Sequence, residues 1–440
     1  MSVPLRYSHI SGATASDIAR SLEAAIREGR LEPGSPLPTV RALAARLTVS
    51  PATVAGAFRS LRLRGLLTAE RRRGTRVSPR PPLLLRPVAP IPEHLRNLAD
   101  GNPDPNLLPR VRLGPQPRPG LYGEPPNLPR LLELARRQFE ADGIPAQQLA
   151  VLGGAMDALE RTLQSHLRPG DRVAVEDPCY HSVLDLLAAL GLTPVPVEMD
   201  EFGMRPEPLA GVLAGGVSAC ILTPRAQNPS GAALDAGRAR ALRQTLERAP
   251  QLLAIEDDHA GPVAGVPAHT VCSGQRENWA VVRSVSKSLG PDLRVALLAG
   301  DATTIARVQG RQALGAGWVS HLLQAAVAEL LAAPTVTRQV SAAARTYAER
   351  RSALLGALTR RQIPAQGRSG LNVWIPVAEE AGVVAALAEK GWAVRAGERY
   401  RLKSPPAVRI TTATLKPAEA ERLAADLARL LAPRSAVPSA

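Results

Sequence analysis

The stretch Ser284-Val285-Ser286-Lys287-Ser288-Leu289-Gly290 carries the strongest chemical signal in the sequence. Lys287 is the only lysine among the first 389 residues, and arginine supplies almost all of the 54 basic residues. Charge alone therefore does not explain this lysine. Arginine keeps its proton near neutral pH, whereas a partly desolvated lysine can lose it, and only a neutral amine attacks an aldehyde to form a Schiff base. The sequence predicts a Schiff-base lysine, and the alternative is an ordinary surface lysine.

Apolar, strand-like runs alternate with helical patterns upstream of Lys287. The predicted strands are residues 150–152, 172–176, 219–222 and 252–255, and the predicted helices are residues 155–167, 181–190 and 236–247. This alternation is typical of an α/β fold with a mostly parallel sheet and helices on both faces. Ligands in such folds bind at the carboxyl ends of the strands, so the residues that follow each strand are the candidate site residues.

Four of these strand ends carry groups suited to binding. Gly153-Gly154-Ala155-Met156 opens a helix whose free N–H groups suit a phosphate, to which Ser284, Ser286 and Arg294 can add donors. The other three ends are Asp177-Pro178-Cys179-Tyr180, the polar stretch from Thr223 to Gly231, and Glu256-Asp257-Asp258-His259. A Gly-Gly turn or a single tyrosine is more often structural. Three carboxylates behind a buried strand are costly without partners and indicate a functional site.

Together these residues resemble the fold-type I pyridoxal-phosphate aminotransferases, over residues 97–435. The resemblance implies that Lys287 forms the Schiff base with pyridoxal 5'-phosphate and that Asp257 pairs with the pyridinium nitrogen, so that the ring acts as an electron sink. It also implies a ring contact from Tyr180, a hydrogen bond from Asn228 to the ring hydroxyl, and a substrate or effector carboxylate on Arg409. The implied phosphate ligands are Gly154, Ala155, Met156, Ser284, Ser286 and Arg294, with Tyr122 reaching the phosphate across a dimer interface.

One position departs from the family pattern. His259 stands where the family usually has a tyrosine as a second partner of the ring hydroxyl. Histidine can still donate there, but it ordinarily titrates near neutrality and would alter the electronics of the cofactor. We therefore expect the departure to weaken catalytic competence more than cofactor binding.

The N-terminal region differs from the rest in charge. Residues 1–80 hold 14 arginines, no lysine and 5 acidic residues, whereas the other 360 residues hold 40 basic and 34 acidic residues. A small basic region attached to a nearly neutral one suggests a polyanionic partner, most often nucleic acid, although basic charge is also common on inert solvated surfaces.

Three helices and a hairpin are predicted in this basic region. The first helix has Ser16 as its N-cap and Gly29 as its stop, Thr39 caps the second, and Ser50 caps the third. The runs 66–70 and 74–77 flank Arg71-Arg72-Arg73 and predict a basic hairpin, or wing. The third helix would enter the major groove of DNA while the wing contacts phosphates or a minor groove. The alternative is a helical cap with a solvated charge run.

These elements resemble the GntR-type winged helix-turn-helix, over about 65 residues. The motifs are residues 37–44, residues 49–54, and Gly65-Leu66-Leu67 through Arg73-Gly74-Thr75. Pro51 and Gly56 depart from the family, which usually has arginine or another long polar residue there, so that Arg59 and its neighbours would act mainly through phosphates. The implied DNA-binding residues are Arg41, Ser50, Thr53, Arg59, Arg72, Arg73 and Gly74.

The order of the domains is itself informative. Residues 1–78 form the predicted DNA-binding head, the proline-rich residues 79–96 a linker, and residues 97–435 the aminotransferase-like body. A chain of this order resembles the MocR family of transcriptional regulators. The resemblance implies a homodimer that binds duplex DNA and senses pyridoxal phosphate, an amino acid or an amine. The alternatives are a catalytically active aminotransferase with an accessory head, and a binding module that has lost the cofactor.

Length and composition agree with this organisation. A chain of 440 residues is long enough for two to four domains. No run of about 18 uncharged, mainly apolar residues is present, and residues 1–11 contain no signal-peptide core, so we expect a cytoplasmic protein. Three widely separated cysteines indicate neither a disulfide framework nor a metal site.

Overall fold

The computed structural model describes residues 7, 9–63, 65–70, 74–78, 90–111, 120–272 and 276–431, which divide into two units. One unit holds the described residues up to Ser78 together with Leu167–Val173 and Ser182–Pro194. The other holds Pro90–His166, Ala174–His181 and the chain from Val195 onward. Most of the predicted linker lies outside the described residues, so the domain boundaries remain a prediction.

The head contains three helices and a hairpin, as the sequence predicted. The helices are α1 (Ala15–Arg27), α2 (Val40–Leu47) and α3 (Pro51–Leu63). The strands β1 (Leu67–Glu70) and β2 (Gly74–Val77) pair antiparallel, with Leu67 opposite Val77. The predicted apolar stripes of α1 and α3 are buried in one core, which includes Ile18, Leu22, Val54, Phe58 and Leu61.

Helix caps decide where these helices begin, and one predicted cap is wrong. The N-cap of α1 is Thr14 rather than Ser16. Thr14 Oγ1 accepts from the Asp17 N–H, and Asp17 Oδ2 accepts from the Thr14 N–H, each at 3.2 Å. This reciprocal pair satisfies two donors at once, which Ser16 cannot do from inside the first turn. The predicted caps Thr39 and Ser50 are confirmed, since their hydroxyls accept from Ala42 and Thr53 N–H.

Gly56 has a packing reason in the fold. A Cβ atom at this position would lie 3.4 Å from the Ala15 Cβ atom, where α1 and α3 pack together. A longer side chain here would have to point away from Ala15, because a Cβ atom at this distance already makes van der Waals contact. The departure from the family pattern at Gly56 therefore accompanies a close approach of two helices.

The body is built on an eight-stranded sheet in the order β4-β11-β10-β9-β8-β5-β6-β7. Its strands are β4 (Leu149–Leu152), β5 (Arg172–Asp177), β6 (Thr193–Asp200), β7 (Gly203–Met204), β8 (Ala219–Leu222), β9 (Leu253–Asp258), β10 (Trp279–Ser284) and β11 (Ala296–Gly300). Strands β8, β9 and β10 are parallel, and β11 runs antiparallel to both β10 and β4. Strand β4 therefore runs in the same direction as β8, β9 and β10, so that these four strands end at one edge of the sheet. This arrangement confirms the predicted mostly parallel α/β fold.

A smaller sheet is formed by the C-terminal part of the chain. It contains β12 (Asn372–Pro376), β14 (Arg395–Ala396) and β15 (Ala407–Thr411), in the order β12-β15-β14. Strand β13 (Trp392–Ala393) pairs separately with β3 (Arg96–Asn97), which begins inside the segment predicted as linker.

Ten helices are described in the body. They are α4 (Pro129–Ala141), α5 (Ala155–His166), α6 (His181–Ala189), α7 (Pro206–Ala214), α8 (Ala236–Glu247), α9 (Ala302–Ala313), α10 (His321–Ala332), α11 (Pro334–Thr359), α12 (Glu380–Glu389) and α13 (Pro417–Leu431). Helices α5, α6 and α8 lie within about one residue of their predicted bounds. Of the helices that the structure describes, none combines the length and the apolar character needed to cross a membrane.

Candidate functional site

The candidate site lies at the carboxyl edge of the parallel strands. Asp257 is near the end of β9, opposite Val282 of β10, and Lys287 follows β10 by three residues. Gly154 follows β4 by two residues, and Asn228 lies in the turn-rich stretch after β8. The topology therefore brings to one edge the residues that the sequence placed at strand ends.

Lys287 is half-buried, and its amine has a lowered pKa. Its Nζ donates a hydrogen bond to the Gly101 carbonyl at 2.5 Å. Burial, with a smaller contribution from the nearby Arg409 cation, lowers the pKa of Lys287 to about 8. An amine with this pKa has a substantial neutral fraction near physiological pH, which a nucleophile requires.

The three consecutive carboxylates after Ile255 have three different environments. Glu256 Oε1 accepts from the Thr270 hydroxyl at 2.9 Å and from backbone N–H groups, and burial raises its pKa to about 7. The Asp258 carboxylate accepts two hydrogen bonds from the Arg225 guanidinium and one from the Arg283 guanidinium, each at 2.8 Å. These two guanidinium groups hold the pKa of Asp258 well below its usual range, so it stays ionised.

Asp257 differs from both neighbours. It is 5% exposed, and its Oδ1 has no hydrogen-bond partner among the described residues. Burial, with repulsion from the Asp258 carboxylate, raises the pKa of Asp257 to about 7. A buried carboxylate oxygen without a donor is costly, and a cationic N–H donor in front of it would both satisfy the oxygen and restore its charge.

A compact group of donors surrounds the start of α5. Gly154 has a φ of +106°, and a Cβ atom there would lie 2.7 Å from the Arg294 guanidinium. Arg294 donates to the Gly153 carbonyl at 3.3 Å. The Ser284 and Ser286 hydroxyls are 3.1 Å apart, so they lie within reach of one common acceptor. Helix N–H groups, two hydroxyls and one guanidinium together suit a phosphate dianion.

Arg409 is a buried cation without a carboxylate partner. It is 3% exposed, and no carboxylate lies within ion-pair distance of it in the described parts of the chain. Its Nη1 donates to Asn228 Oδ1 at 3.1 Å, its Nη2 donates to the Ala99 carbonyl, and its Nε has no partner there. The guanidinium lies 5.2 Å from the centre of the Tyr400 ring, and burial lowers the pKa of Arg409. An incoming carboxylate would supply the missing counter-charge.

His259 and Tyr180 flank the same region. Burial and the nearby Lys287 lower the pKa of His259 to about 4, so the imidazole is neutral at physiological pH instead of titrating there as the sequence suggested. Tyr180 packs against the aromatic cluster that contains Trp374 and Tyr400.

Tyr122 lies apart from these residues. It is 93% exposed, and its ring meets Trp318 edge-on at 5.5 Å. Within the described residues, no hydrogen bond or ring contact joins Tyr122 to Lys287, Asp257 or Arg294. An exposed tyrosine next to the exposed Leu121 is compatible with a subunit interface.

The candidate DNA-binding residues lie in the head. Arg41, Ser50, Arg59 and Gly74 are exposed, and Thr53 is half-buried with its hydroxyl 2.8 Å from that of Ser50. Arg72 and Arg73 of the predicted wing lie outside the described residues.

Sequence reasoning missed the residues that contact the site from distant segments. Ala99 and Gly101 accept hydrogen bonds from Arg409 and Lys287, and Tyr400 lies under the Arg409 guanidinium. The turn-rich stretch Asp100-Gly101-Asn102-Pro103-Asp104 was the available signal, since such a stretch at the start of a domain has no packing reason of its own.

Comparison with known proteins agrees with both parts of the chain. Residues 121–427 match the family described as aminotransferase class I and II, and residues 14–77 match the bacterial regulatory proteins of the gntR family. The structure is similar to that of an archaeal alanine:glyoxylate aminotransferase, with a TM-score of 0.69 at 21% identity over 78% of this chain and 91% of that one. The fold and the site therefore define an aminotransferase-like domain behind a GntR-type head.

Two regulators are similar over most of their length. The vitamin B6 salvage pathway transcriptional repressor PtsJ of Salmonella typhimurium is 40% identical over 431 residues, which cover 96% of this chain and 99% of that protein. The pyridoxine biosynthesis transcriptional regulator PdxR of Corynebacterium glutamicum is 30% identical over 410 residues, 88% of each chain. The chain belongs to the MocR-type transcriptional regulators, in which a GntR head precedes an aminotransferase-like domain.

Proposed function

We propose that this regulator binds pyridoxal 5'-phosphate covalently at Lys287 and that occupancy of the site changes its binding to operator DNA. The observation that carries the proposal is the buried Asp257 carboxylate, whose Oδ1 has no hydrogen-bond partner in the described structure. The pyridinium N–H of the cofactor is a cationic donor of the kind that this oxygen lacks. Lys287, with its lowered pKa, supplies the amine that the cofactor aldehyde requires.

The proposal assigns the rest of the cofactor to the chain's own residues. The Lys287 nitrogen would bond to the aldehyde carbon, and the aldehyde oxygen would leave as water. Gly154, Ala155, Met156, Ser284, Ser286 and Arg294 would hold the phosphate. Tyr180, Asn228 and His259 would contact the ring and its hydroxyl. When bound, the cofactor supplies an electron sink for groups attached to it.

The second ligand of the site is proposed to be an amino acid or an amine. Arg409 is the candidate carboxylate-binding residue because it is buried, has an unpartnered Nε, and lacks an acidic partner among the described residues. A carboxylate can accept two parallel hydrogen bonds from one guanidinium group. An amine without a carboxylate would leave this cation unneutralised, so amino acids are favoured over simple amines.

The partners of the head follow from the family. We propose that Arg41, Ser50, Thr53, Arg59, Arg72, Arg73 and Gly74 contact duplex DNA, mainly through phosphates. We propose a homodimer whose interface contains Tyr122, and a cytoplasmic location. The two similar regulators are named for vitamin B6 salvage and pyridoxine biosynthesis, which favours operators at genes of vitamin B6 supply.

Absorbance tests the cofactor directly. The full-length protein mixed with pyridoxal phosphate should develop a band at about 400–430 nm that is lost in Lys287→Ala. Lys390→Ala is the matched control, because Lys390 directly follows α12 and pairs with Asp426 at 3.9 Å. A wild-type protein without the band would refute cofactor binding. The proposed effect of the cofactor on operator binding is tested by measuring DNA binding with and without the cofactor. Mapping the sites that the protein occupies on the host genome would identify the operators.

A second candidate function is aminotransferase catalysis, which the unpaired Arg409 favours. Steady-state turnover of an amino donor and a keto acid above about 1 s⁻¹ would support a dedicated enzyme. His259 argues against it, because an imidazole stands where the family has the phenol of a tyrosine as a partner of the ring hydroxyl. We expect single-turnover conversion at most.

A further inference from the structure

A short segment crosses the candidate site and is anchored at both ends. We call residues 96–104 the strap. At its start, Leu98 N–H donates to the Ala393 carbonyl at 2.9 Å, and Thr411 N–H donates to the Leu98 carbonyl at 2.8 Å. At its end, Asp104 accepts from Arg350 at 2.9 Å. The middle of the strap is therefore held over the edge of the sheet between two fixed points.

The middle of the strap occupies the donors of the site. The Gly101 carbonyl accepts the hydrogen bond from Lys287 Nζ, and the Ala99 carbonyl accepts one from Arg409 Nη2. A Cβ atom on Gly101 would lie 3.7 Å from Arg409 Nη1, so the guanidinium lies against the strap backbone. These two cations are the groups that an aldehyde cofactor and a ligand carboxylate require. Strap and ligands thus compete for the same two side chains.

Two polar side chains fix the strap in this position. Asn97 Oδ1 accepts from the N–H groups of Ala99 at 3.1 Å and Asp100 at 3.2 Å, and its Nδ2 donates to Asp100 Oδ2 at 2.9 Å. Asp100 Oδ1 in turn contacts the Arg395 guanidinium at 3.4 Å. Neither side chain touches Lys287 or Arg409 in these contacts, so both act through the backbone that they orient.

We propose that Asn97 and Asp100 are positioning residues that hold the Ala99 and Gly101 carbonyls on Arg409 and Lys287, so that cofactor and carboxylate bind only by displacing the strap. The inference rests on the proposed function. A lysine nitrogen bonded to the aldehyde carbon no longer has the three N–H donors of an ammonium group, so its contact with Gly101 is weakened. A carboxylate on Arg409 competes with the Ala99 carbonyl as a stronger, charged acceptor.

The strap connects this competition to the rest of the chain. Its first residue, Arg96, is the last residue of the predicted linker that leads back to the head. A ligand that favours the displaced strap therefore acts on a segment that begins where the predicted linker ends. By linkage, any DNA-bound arrangement that favours the displaced strap must in turn increase ligand affinity by the same factor.

The test is the affinity of the full-length protein for pyridoxal phosphate, measured by titration at about 400–430 nm. Asp100→Asn keeps the side-chain shape but removes the charge that Arg395 contacts, and Asn97→Ala removes the three hydrogen bonds. Both should bind the cofactor more tightly, by about fivefold, which corresponds to about 1 kcal/mol. Asp235→Ala is the matched control. It removes the N-cap of α8, where Asp235 accepts from Arg238 N–H at 2.7 Å, and should leave the affinity unchanged.

Unchanged or weaker affinity in both strap variants would overturn the proposal, since a merely structural role predicts weaker binding. Hydrogen exchange of the wild-type protein gives a second readout. Saturating pyridoxal phosphate should speed exchange of the Ala99 and Asp100 N–H groups, and equal or slower exchange would also count against the strap. If the wild-type protein shows no absorbance band, the proposed binding of the cofactor is wrong. If the band is present but the strap variants do not bind more tightly, only the proposed role of the strap is wrong.

Discussion

The lowered pKa of Lys287 predicts an unusual pH dependence of cofactor capture. The pKa falls from the usual 10.5 to about 8. At pH 7 about a tenth of the Lys287 amines are then neutral, against about 0.03% of an ordinary lysine, a difference of roughly 300-fold. Since only the neutral amine attacks the aldehyde, the capture rate should rise about tenfold from pH 6 to 7 and level off above pH 8 to 9.

Stopped-flow absorbance at about 400–430 nm, with the full-length protein in excess over pyridoxal phosphate, measures this rate across pH 6 to 10. The reaction of Nα-acetyl-lysine under the same conditions corrects for ionisation of the cofactor. Lys287→Arg keeps the positive charge and should show no capture at any pH. Arg409→Gln removes a neighbouring positive charge that lowers the Lys287 pKa, so its profile should move to higher pH. A wild-type rate that keeps rising in parallel with Nα-acetyl-lysine up to pH 10 would refute a lowered pKa.

Three further predictions concern the buried carboxylates and the head. The pKa of Asp257, about 7, lies above its unfolded value, so its ionisation lowers the free energy of unfolding progressively as the pH rises from about 4 to 7. At pH 8 without cofactor, Asp257→Asn should therefore increase the free energy of unfolding by at most about 4 kcal/mol and raise the Tm, while weakening retention of pyridoxal phosphate. A lower Tm in calorimetry would contradict this. Asp258→Asn leaves the buried Arg225 and Arg283 with a single carboxylate, Asp142, within ion-pair distance in the described structure. Urea unfolding should therefore show a loss of about 3–5 kcal/mol, and a loss below about 1 kcal/mol would be inconsistent with the ion pairs. If the head neutralises about 6 phosphates, the logarithm of the affinity for DNA should fall by about 5 per tenfold rise in salt, and Arg59→Ala should reduce this slope by about 1. Arg20→Ala is the control because Arg20 pairs with Asp17. A flat salt response would exclude binding through phosphates.

The order of elements and the positions of the strand ends could be predicted because they depend on local patterns. The predicted helix 236–247 coincides with α8, and residues 219–222 coincide with β8. A resemblance to a known family then assigned roles to residues such as Lys287 and Asp257, and those roles stay predictions. The Ser16 cap was wrong because a cap depends on a reciprocal contact, which Thr14 makes and Ser16 does not.

The electrostatics of the site could not be predicted from the sequence. Glu256, Asp257 and Asp258 are adjacent and chemically alike, but their partners come from distant segments. Arg225 reaches Asp258 from 33 positions away, and Lys287 reaches Gly101 across 186 positions. Which of the carboxylates stays ionised and which lacks a donor follows only from the fold.

The half-buried amine at Lys287 also makes the molecule simple to label. The sequence contains only three other lysines, Lys390, Lys403 and Lys416, all in its last quarter. Borohydride reduction of the adduct with pyridoxal phosphate would place a fluorescent ring on the peptide that contains Lys287. Mass mapping can distinguish this peptide from those that contain the other three lysines. A single optical reporter could thus be installed inside the ligand pocket without engineering any residue.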